Sequence, residues 1–249
     1  MDFFEQHFNP DELQEGQLIL IDKPLGWTSF QVVNKLRWHL KNQVGLKKIK
    51  VGHAGTLDPL ATGLLLICTG NKTKSISTLQ ATEKEYTGTF LMGATTPSYD
   101  LETSVDQTFD TGSLTEKMIL NATNPFTGEI LQYPPLFSAL KKDGKRLYEY
   151  ARAGENPEIT PRTVTVHEFK IIKINLPEVE FLVRCSKGTY IRSLAHDFGK
   201  SLSNGAHLSA LKRTKIGAYS IENAFSMESV VDHTSEKNIT PRLSSNRIR

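Results

Sequence analysis

Hydrophobic residues along the chain follow two spacings, one typical of strands and one typical of helices. Residues 17–22 form a short apolar run that predicts a buried strand, which ends at the turn of residues 24–26. Thr28 or Ser29 is then placed to cap a helix that ends near Asn42. Helical spacing predicts that the buried face of this helix carries Phe30, Val33, Leu36 and Leu40.

Strand patterns dominate the rest of the chain. Further strands are predicted over residues 64–68, 83–92, 164–174, 179–185 and 207–219. The third and fourth of these are predicted to pair as a hairpin. Period-two alternation in its second arm predicts that the inward-facing residues are Val179, Phe181, Val183 and Cys185.

Two further helices are predicted between these strands. One is short and covers residues 146–152, and the other begins after Gly188 and Thr189. The apolar stripe of the second helix is predicted to contain Ile191, Leu194, Ala195, Phe198 and Leu202. Because strands and helices do not alternate regularly, the pattern predicts an α+β fold on a mixed, mainly antiparallel sheet.

The composition is that of a globular protein with one or two domains, since 38% of the 249 residues are hydrophobic and 23% are charged. The longest unbroken apolar run, at residues 64–68, is far shorter than the roughly 18 residues that cross a bilayer. The N-terminus is acidic where a signal peptide would be basic, and we expect a cytoplasmic protein. Residues 226–249 are polar and predict a tail.

Positive charge is concentrated in parts of the sequence, although the formal net charge is only +3. Residues 23–82 contain many lysines and arginines but a single acid, Asp58. Further basic stretches lie at residues 141–152 and 184–215. Clustered Lys and Arg side chains favour a polyanionic partner, and an ordinary solvated basic face is the alternative interpretation.

Several familiar site motifs are missing from the sequence. Residues 70–73 resemble a phosphate-binding loop superficially but lack its upstream glycine. The sequence has no dinucleotide-binding glycine motif, no paired-histidine metal motif and no nucleophile elbow. Cys68 and Cys185 lie too far apart in sequence to form a metal-binding pair motif. We therefore expect no metal site.

Asp58 is the residue best placed for a chemical role. It lies on a glycine-rich turn after His53, where a ligand or another chain segment can approach closely. A partly desolvated, ionised carboxylate in a basic setting acts as a nucleophile or a base. Alternatively, Asp58 only caps its own turn. Arg192 is a candidate ion-pair partner for it, or an ordinary surface arginine.

Six segments of the sequence occur in a recognisable order. Residues 52–63 read Gly-His-Ala-Gly-Thr-Leu-Asp-Pro-Leu-Ala-Thr-Gly, and residues 22–29, here the first motif, read Asp-Lys-Pro-Leu-Gly-Trp-Thr-Ser. The other four segments are residues 84–86, 133–152, 185–192 and 211–213. Together they resemble the motifs of the TruB family of tRNA pseudouridine-55 synthases.

The resemblance implies a pseudouridine synthase fold with helices around the sheet and an RNA-binding cleft. It implies a catalytic domain over residues 1–225, with an RNA-gripping insertion at about residues 133–162. The tail at residues 226–249 would then lack the PUA-type domain that many family members carry. The implied reaction converts the T-loop uridine of tRNA to pseudouridine without a cofactor. We expect a monomer that binds the T-arm of tRNA and has no obligatory protein partner.

The resemblance also implies roles for individual residues. Asp58 is expected to be the nucleophile, Arg192 to pair with it, and Tyr86 to stack on the base and take part in proton transfer. The uridine is expected to be bound by His53, Tyr86, Tyr190 and Leu211. Phosphates are expected to be bound by Lys74, Lys141, Lys145 and Arg146. Lys23 is expected to brace the first motif, and Asp100 to have a structural role.

Two alternatives remain at this stage. One is a guide-RNA-dependent pseudouridine synthase, against which the lysine-rich segment at residues 138–145 and the short C-terminal tail argue. The other is a tRNA folding factor whose useful work is to open the elbow of tRNA, with isomerisation secondary. An Asp58→Asn variant would separate catalysis from RNA binding.

Overall fold

A ten-stranded sheet forms the centre of the protein, and helices pack around it. The computed structural model describes residues 9–43 and 45–232. The strands are β1 (Leu18–Lys23), β2 (Val51–Ala54), β3 (Ala61–Thr69), β4 (Lys84–Met92), β5 (Ala94–Thr95), β6 (Gln107–Thr108), β7 (Gly128–Gln132), β8 (Lys141–Lys142), β9 (Lys145–Arg146), β10 (Arg162–Asn175), β11 (Glu178–Cys185), β12 (Ala206–Ile216), β13 (Tyr219–Ser220) and β14 (Phe225–Ser226). The α-helices are α1 (Pro10–Glu15), α2 (Ser29–Gln43), α3 (Ile76–Ala81), α4 (Glu116–Asn121), α5 (Leu147–Arg152), α6 (Ile191–Ser201) and α7 (Met227–Asp232). Short 3₁₀-helices cover Gly70–Ser75, Asn124–Phe126 and Ile221–Asn223.

The order of strands in the central sheet differs from their order in the chain. Its main path runs β14, β1, β3, β12, β4, β11, β10 and β7, with β2 paired to β3 and β13 paired to β12. The β1–β14 and β3–β12 pairs are parallel, and the other pairs in this sheet are antiparallel. The predicted α+β fold on a mixed, mainly antiparallel sheet is confirmed. This order brings β3, β12 and β4 side by side although they are distant in sequence.

The predicted hairpin at residues 164–185 is confirmed as β10 and β11. The four inward positions of β11 are buried, as its alternation predicted. Helix α6 packs against β12, and Phe198 on this helix contacts Phe90 on β4 and Phe169 on β10. Phe181 on β11 stacks in turn on Phe90. Aromatic rings of this kind bury a large apolar area, so they hold α6 against the sheet.

Helix α2 covers the other part of the sheet, and three of the four residues predicted for its buried face, Val33, Leu36 and Leu40, are buried. Phe30 is 64% exposed, whereas Ser29 in the first turn is buried. The buried residues of α2 are Ser29, Val32, Val33, Leu36, His39 and Leu40. Ser29 anchors the first turn of the helix, because its side chain accepts a hydrogen bond from the Leu57 amide at 2.9 Å. Phe30 lies about 100° around the helix from Ser29 and faces solvent.

The predicted strand at residues 207–219 is divided into two strands. β12 ends at Ile216, and β13 turns back to pair with it. Gly217, between them, has φ +53°, a left-handed conformation that suits glycine. The apolar character of residues on both sides of this turn concealed it in the sequence.

The first part of the predicted polar tail belongs to the folded structure. β14 pairs with β1, and α7 follows it directly. Met227 and Val230 on α7 are buried in the same core as α2. Residues 226–232 therefore help to form this core, and the remainder of the tail, residues 233–249, lies outside the described residues.

Candidate active site

A cavity of about 920 Å³ opens beside the Asp58 turn, where several distant parts of the chain meet. Its walls come from the turn after β2, from β4 and β12, from the loop between β11 and α6, and from segments 138–140 and 160–164. Predicted site residues that line the cavity are Asp58, Tyr86, Tyr190, Arg192 and Leu211. The fold therefore brings together five of the ten predicted functional side chains.

The Asp58 turn is held in place by the first motif. Ser29 donates a hydrogen bond to the carbonyl oxygen of Leu57 at 3.2 Å, and the Gly26 amide donates to that of Pro59 at 2.8 Å. The turn also closes on itself, because the Ala61 amide donates to the carbonyl oxygen of Asp58 at 3.1 Å. The Asp58 side chain remains 41% exposed at this rigid turn, so an incoming ligand can reach it.

Arg192 lies between two carboxylates at the start of α6. Its side chain is only 4% exposed, and its Nε is 3.0 Å from Asp58 Oδ2 and 3.6 Å from Asp100 Oδ2. These contacts are ionic, since the Nε–H does not make a hydrogen bond of good angle with either oxygen. Nη1 donates to the carbonyl oxygens of Phe137 at 2.9 Å and Ser98 at 3.3 Å. The guanidinium is thus fixed from three sides, and it holds the Asp58 carboxylate beside the cavity.

Tyr86 and Arg213 lie opposite each other on β4 and β12. Burial raises the pKa of the Tyr86 phenol, and the charge of the neighbouring Arg213 together with its hydrogen bond opposes this rise. Arg213 is itself buried, and it donates to the carbonyl oxygens of Leu64 at 2.8 Å and Gly55 at 3.0 Å. It therefore ties the base of the Asp58 turn to the sheet and contacts Tyr86.

Sequence reasoning placed Arg213 in a motif but gave it no role. The signal that could have found it is the period-two alternation of β12. Leu211 lines the cavity, and alternation puts residue 213 on the same face of the strand. An arginine at such an inward position is buried with its charge, so it needs several acceptors around it.

Tyr190 is positioned by a residue that the sequence did not single out. Gln132 at the end of β7 donates from Nε2 to the carbonyl oxygen of Tyr190 at 3.0 Å. The Tyr190 amide donates back to Gln132 Oε1 at 2.7 Å. This pair of hydrogen bonds fixes the backbone at the N-terminus of α6, and with it the Tyr190 ring beside Leu211 in the cavity lining.

Lys23, which was predicted to brace the first motif, is buried beneath the Asp58 turn. Its Nζ donates to the carbonyl oxygens of Trp27 at 2.6 Å, Pro24 at 2.9 Å and Pro59 at 3.4 Å. It thus joins the first motif to the residue after Asp58. Burial lowers the pKa of Lys23 to about 8, although the charge of Asp58 opposes this change.

A Lys23→Met variant is expected to lose about 1 to 3 kcal/mol of stability near neutral pH, because it leaves buried carbonyl oxygens unpaired. The loss should depend on pH. The pKa of Lys23 is about 8 in the folded protein and 10.5 ordinarily. Between these two pH values the unfolded chain therefore binds more protons at this group than the folded chain does. The stability of the wild type relative to the variant should therefore increase as pH rises through this range. Urea unfolding from about pH 7 to about pH 10 measures this.

Lys170→Met is the control for this experiment, because the Lys170 side chain is 66% exposed. A stability difference between wild type and Lys23→Met that stays constant with pH would contradict the lowered pKa.

The other predicted binding residues do not line the cavity. His53 lies on β2, paired with Ile67, and its pKa is lowered by burial and by the charge of Arg213. Lys74 lies in the 3₁₀-helix Gly70–Ser75. The three basic residues of the β8–β9 hairpin, Lys141, Lys145 and Arg146, follow cavity segment 138–140 but are not part of its wall. Lys145 is also paired with Glu155 at 3.2 Å.

Asp100 has the structural position that was expected for it. It is buried, its backbone bridges to Leu208, and its Oδ1 accepts a hydrogen bond from the Glu102 amide at 2.9 Å. Its other carboxylate oxygen faces Arg192. Asp100 thus anchors its loop to β12 and supports the arginine that faces Asp58.

Within residues 9–43 and 45–232, no group of three or more His, Cys, Asp or Glu side chains is arranged to hold a metal ion. None of the helices in the same part of the chain has the length and hydropathy needed to span a membrane.

Two family models match this chain along most of its length. The model of the TruB family pseudouridylate synthase N-terminal domain matches residues 41–191. The model of the tRNA pseudouridylate synthase B C-terminal domain matches residues 192–244.

Curated relatives are similar over nearly their whole length. The tRNA pseudouridine synthase B of Flavobacterium johnsoniae is 65% identical over 216 residues, which cover 86% of this chain and 94% of that protein. The tRNA pseudouridine synthase B of Phocaeicola vulgatus is 50% identical over 226 residues, which cover 91% of this chain and 96% of that protein.

Solved structures with a similar fold include a chain from the crystal structure of a Cbf5-Nop10-Gar1 complex. It has a TM-score of 0.67 and 30% identity, and the match covers 91% of this chain and 57% of that chain. A chain from an H/ACA RNP bound to a substrate RNA containing 2′-deoxyuridine has a TM-score of 0.66 and 25% identity, covering 97% of this chain and 61% of that chain. The present chain thus spans about three fifths of these two structural relatives.

Proposed function

Because the chain belongs to the TruB family of pseudouridylate synthases, we propose that it converts the T-loop uridine at position 55 of tRNA to pseudouridine. The predicted pseudouridine synthase fold is confirmed by the family match and the structural likeness. The observation that carries the proposal is the half-exposed Asp58 carboxylate, ion-paired with buried Arg192 at the wall of a nucleotide-sized cavity. The proposal includes action in the cytoplasm, as a monomer without an obligatory protein partner.

The proposed reaction is an internal rearrangement. The N1–C1′ bond of the uridine breaks, a C5–C1′ bond forms, the proton on C5 is lost, and N1 gains a proton. No atoms or electrons are exchanged with another molecule overall, so side chains alone can provide the catalysis. The residues must hold the sugar, let the base turn, and move one proton.

We assign Asp58 the role of nucleophile. A carboxylate suits this reaction because C1′ becomes electron-poor when the glycosidic bond breaks, as it does in glycoside hydrolysis. Asp58 captures C1′ either directly or after formation of a glycal. Arg192 keeps one carboxylate oxygen in a fixed position, so the other can face the sugar. Arg192 therefore acts as the residue that orients the nucleophile.

We assign Tyr86 the role of stacking on the detached base and donating a hydrogen bond to it. Because the pKa of Tyr86 is raised by burial, its hydroxyl stays protonated at neutral pH. If Tyr86 takes up the C5 proton, it must first lose its own, and Arg213 is the neighbouring cation that would stabilise the phenolate. Tyr190 and Leu211 complete the pocket for the base.

The target nucleotide must leave its stack before any of these groups can reach C1′, at a cost of a few kcal/mol. A cavity of about 920 Å³ lies in the range of pockets that enclose ligands of nucleotide size. The buried supports of its wall, Lys23, Gln132 and Arg213, suit a preformed site rather than one that assembles on binding. The guide-RNA-dependent alternative is disfavoured, since the 65% and 50% identical relatives are named tRNA pseudouridine synthase B.

The proposal is tested by mapping pseudouridine on an unmodified tRNA transcript after incubation with the purified full-length chain. We expect one new pseudouridine, in the T-loop, without added cofactor. A transcript with cytidine at that position should yield none. Product at another position, or no product from folded protein that still binds tRNA, would overturn the proposed function, and the second outcome would favour the folding-factor alternative.

A further inference from the structure

The cavity carries more positive charge than Asp58 can balance. Its wall contains one carboxylate, Asp58, and the basic residues Lys84, Arg162, Lys187, Arg192 and Arg213. Two of these have partners within the protein. Arg192 faces Asp58 and Asp100, and Arg213 donates to backbone carbonyl oxygens beneath the Asp58 turn. The other three have no acidic partner among the described residues.

These three cations lie close together, where β4, β10 and the loop after β11 meet. Lys84 pairs with Cys185 at the end of β11, two residues before Lys187, and the charge of Lys187 acts on it. Arg162 reaches the same loop from β10, since a Cβ on Gly188 would lie 3.7 Å from Arg162 Nη1. The three charges thus meet around the tip of one loop.

The loop that carries Lys187 has a fixed shape. The Ser186 amide donates to the carbonyl oxygen of Thr165 at 2.8 Å, and the Thr165 amide donates to Ser186 Oγ at 2.9 Å. Thr189 Oγ1 donates to the Ser186 carbonyl oxygen at 3.0 Å and closes the turn. Gly188 has φ +81°, which permits this tight turn. Lys187 is therefore held at the cavity wall and does not swing on a long free loop.

The side chains of this cluster keep hydrogen-bond donors available. Lys84 is buried and donates to the carbonyl oxygens of Gln80 and Thr82, which leaves one of its three N–H groups. Arg162 packs its guanidinium over the Tyr190 ring, 5.8 Å from the centroid, and makes no hydrogen bond through its side chain within the described residues. Burial lowers the pKa of Lys84 to about 8, and the charges of Arg213 and Lys187 act in the same direction. An anion bound here would relieve that repulsion.

We propose that Lys84, Arg162 and Lys187 form a subsite for a backbone phosphate of the RNA, next to the flipped uridine. This inference rests on the proposed function. A nucleotide turned into the cavity brings its flanking phosphates to the wall, and a planar guanidinium with two ammonium groups suits the oxygens of a phosphodiester. Such a contact holds the backbone without reading sequence. Arg162, stacked on Tyr190, would link the phosphate to the pocket for the base.

The test uses Arg162→Ala/Lys187→Ala in an Asp58→Asn background, so that binding is measured without turnover. Lys84 is left intact because it is buried. The dissociation constant for tRNA transcript is measured at several salt concentrations. We expect roughly tenfold weaker binding and a salt-dependence slope smaller by about one, since one phosphate contact is lost. The matched control is Lys170→Ala/Lys173→Ala. It removes two exposed lysines that lie on β10, as Arg162 does, but outside the cavity wall.

A chemical probe identifies the phosphate itself. The probe is a series of T-arm stem-loop RNAs, and in each RNA one of the phosphates beside the target uridine is replaced by a neutral methylphosphonate. A 2′-deoxy sugar at the modified linkage prevents cleavage of the backbone. The reference RNA contains the deoxy sugar alone. At one of these linkages the methylphosphonate should weaken binding to the Asp58→Asn protein. It should have little further effect on binding to the protein that also carries Arg162→Ala/Lys187→Ala. Such non-additivity marks a direct interaction between the two altered groups.

Equal weakening in the control pair, or additive effects of the methylphosphonate and the cavity variants, would overturn the subsite. If Arg162→Ala proves unstable in thermal unfolding, the same comparison is made with Lys187→Ala alone, because that residue is exposed at the loop tip. Failure of the proposed function is distinguishable, because the wild-type protein would then form no pseudouridine. The subsite is measured by binding alone.

Discussion

Asp58→Asn is expected to form no detectable pseudouridine, with a rate reduced at least about 10⁴-fold, while folding and tRNA affinity stay close to those of the wild type. The amide has the size of the carboxylate but lacks its charge and nucleophilicity. The turn itself depends on hydrogen bonds from the Ser29 hydroxyl and the Gly26 amide to its backbone and not on the Asp58 side chain, so it should persist. Single-turnover mapping of pseudouridine, tRNA binding and thermal unfolding measure the three properties.

Asp110→Asn is the matched control, because Asp110 is an exposed aspartate outside the cavity wall whose Oδ1 accepts a hydrogen bond from the Gly112 amide. It should retain full activity. Asp58→Ala should be as inactive as Asp58→Asn. Measurable turnover by both Asp58 variants would rule out the nucleophile assignment. Any benefit to tRNA that survives in Asp58→Asn would belong to a binding or folding role.

Arg192→Gln is expected to lower the single-turnover rate by about 10²- to 10³-fold, because Asp58 loses the group that orients it. The same change should cost about 3 to 5 kcal/mol of stability. Most of this cost belongs to Asp100, whose side chain is only 7% exposed and would be left as an uncompensated buried charge. The contribution of Asp58 is smaller, since that side chain is 41% exposed and screened by water. Urea unfolding and single-turnover kinetics measure the two effects.

The double variant Arg192→Gln/Asp100→Asn separates positioning from folding. It removes the buried charge, so it should recover much of the stability that Arg192→Gln loses. It should not recover the rate, because Asp58 is still without its partner. Recovery of both would mean that Arg192 acts only through stability. Arg192→Lys keeps the charge but not the planar group that reaches Phe137 and Ser98, and we expect an intermediate rate.

Local patterns in the sequence were enough to predict the six longest strands and the two longest helices, whereas shorter strands such as β2, β7 and β14 were not predicted. β11 alternates apolar and polar residues, so its buried face follows from the two-residue period of a strand. Helix α2 was predicted with nearly correct ends and with three of its four buried residues, but Phe30 in its first turn is exposed. In that turn Ser29 is buried instead, and its partner Leu57 is 28 residues away in sequence. Helical spacing therefore predicted the buried face, but a contact distant in sequence decides which residue of the first turn is buried.

Asp58 was also predicted as the candidate nucleophile from the sequence, because it is a lone acid in a basic stretch and lies within a long motif. The residues that surround Asp58 in the cavity wall were less predictable. His53 lies within that motif and outside the cavity wall, whereas Lys84 and Arg162 line the wall without having been assigned a role. A motif identifies residues that are close in sequence, and the wall of the cavity is built from strand ends that meet only in the folded sheet.

Residue patterns alone predicted the α+β class and the six longest strands, and the resemblance of the motifs predicted Asp58, Tyr86 and Arg192 as site residues. How these residues are held follows from contacts that form only in the folded sheet. Arg213 donates to Gly55 across 158 residues of sequence, and Gln132 fixes Tyr190 across 58. Periodicity and charge runs report on neighbours along the chain, whereas a buried side chain finds its hydrogen-bond acceptors in whichever backbone the sheet order brings beside it.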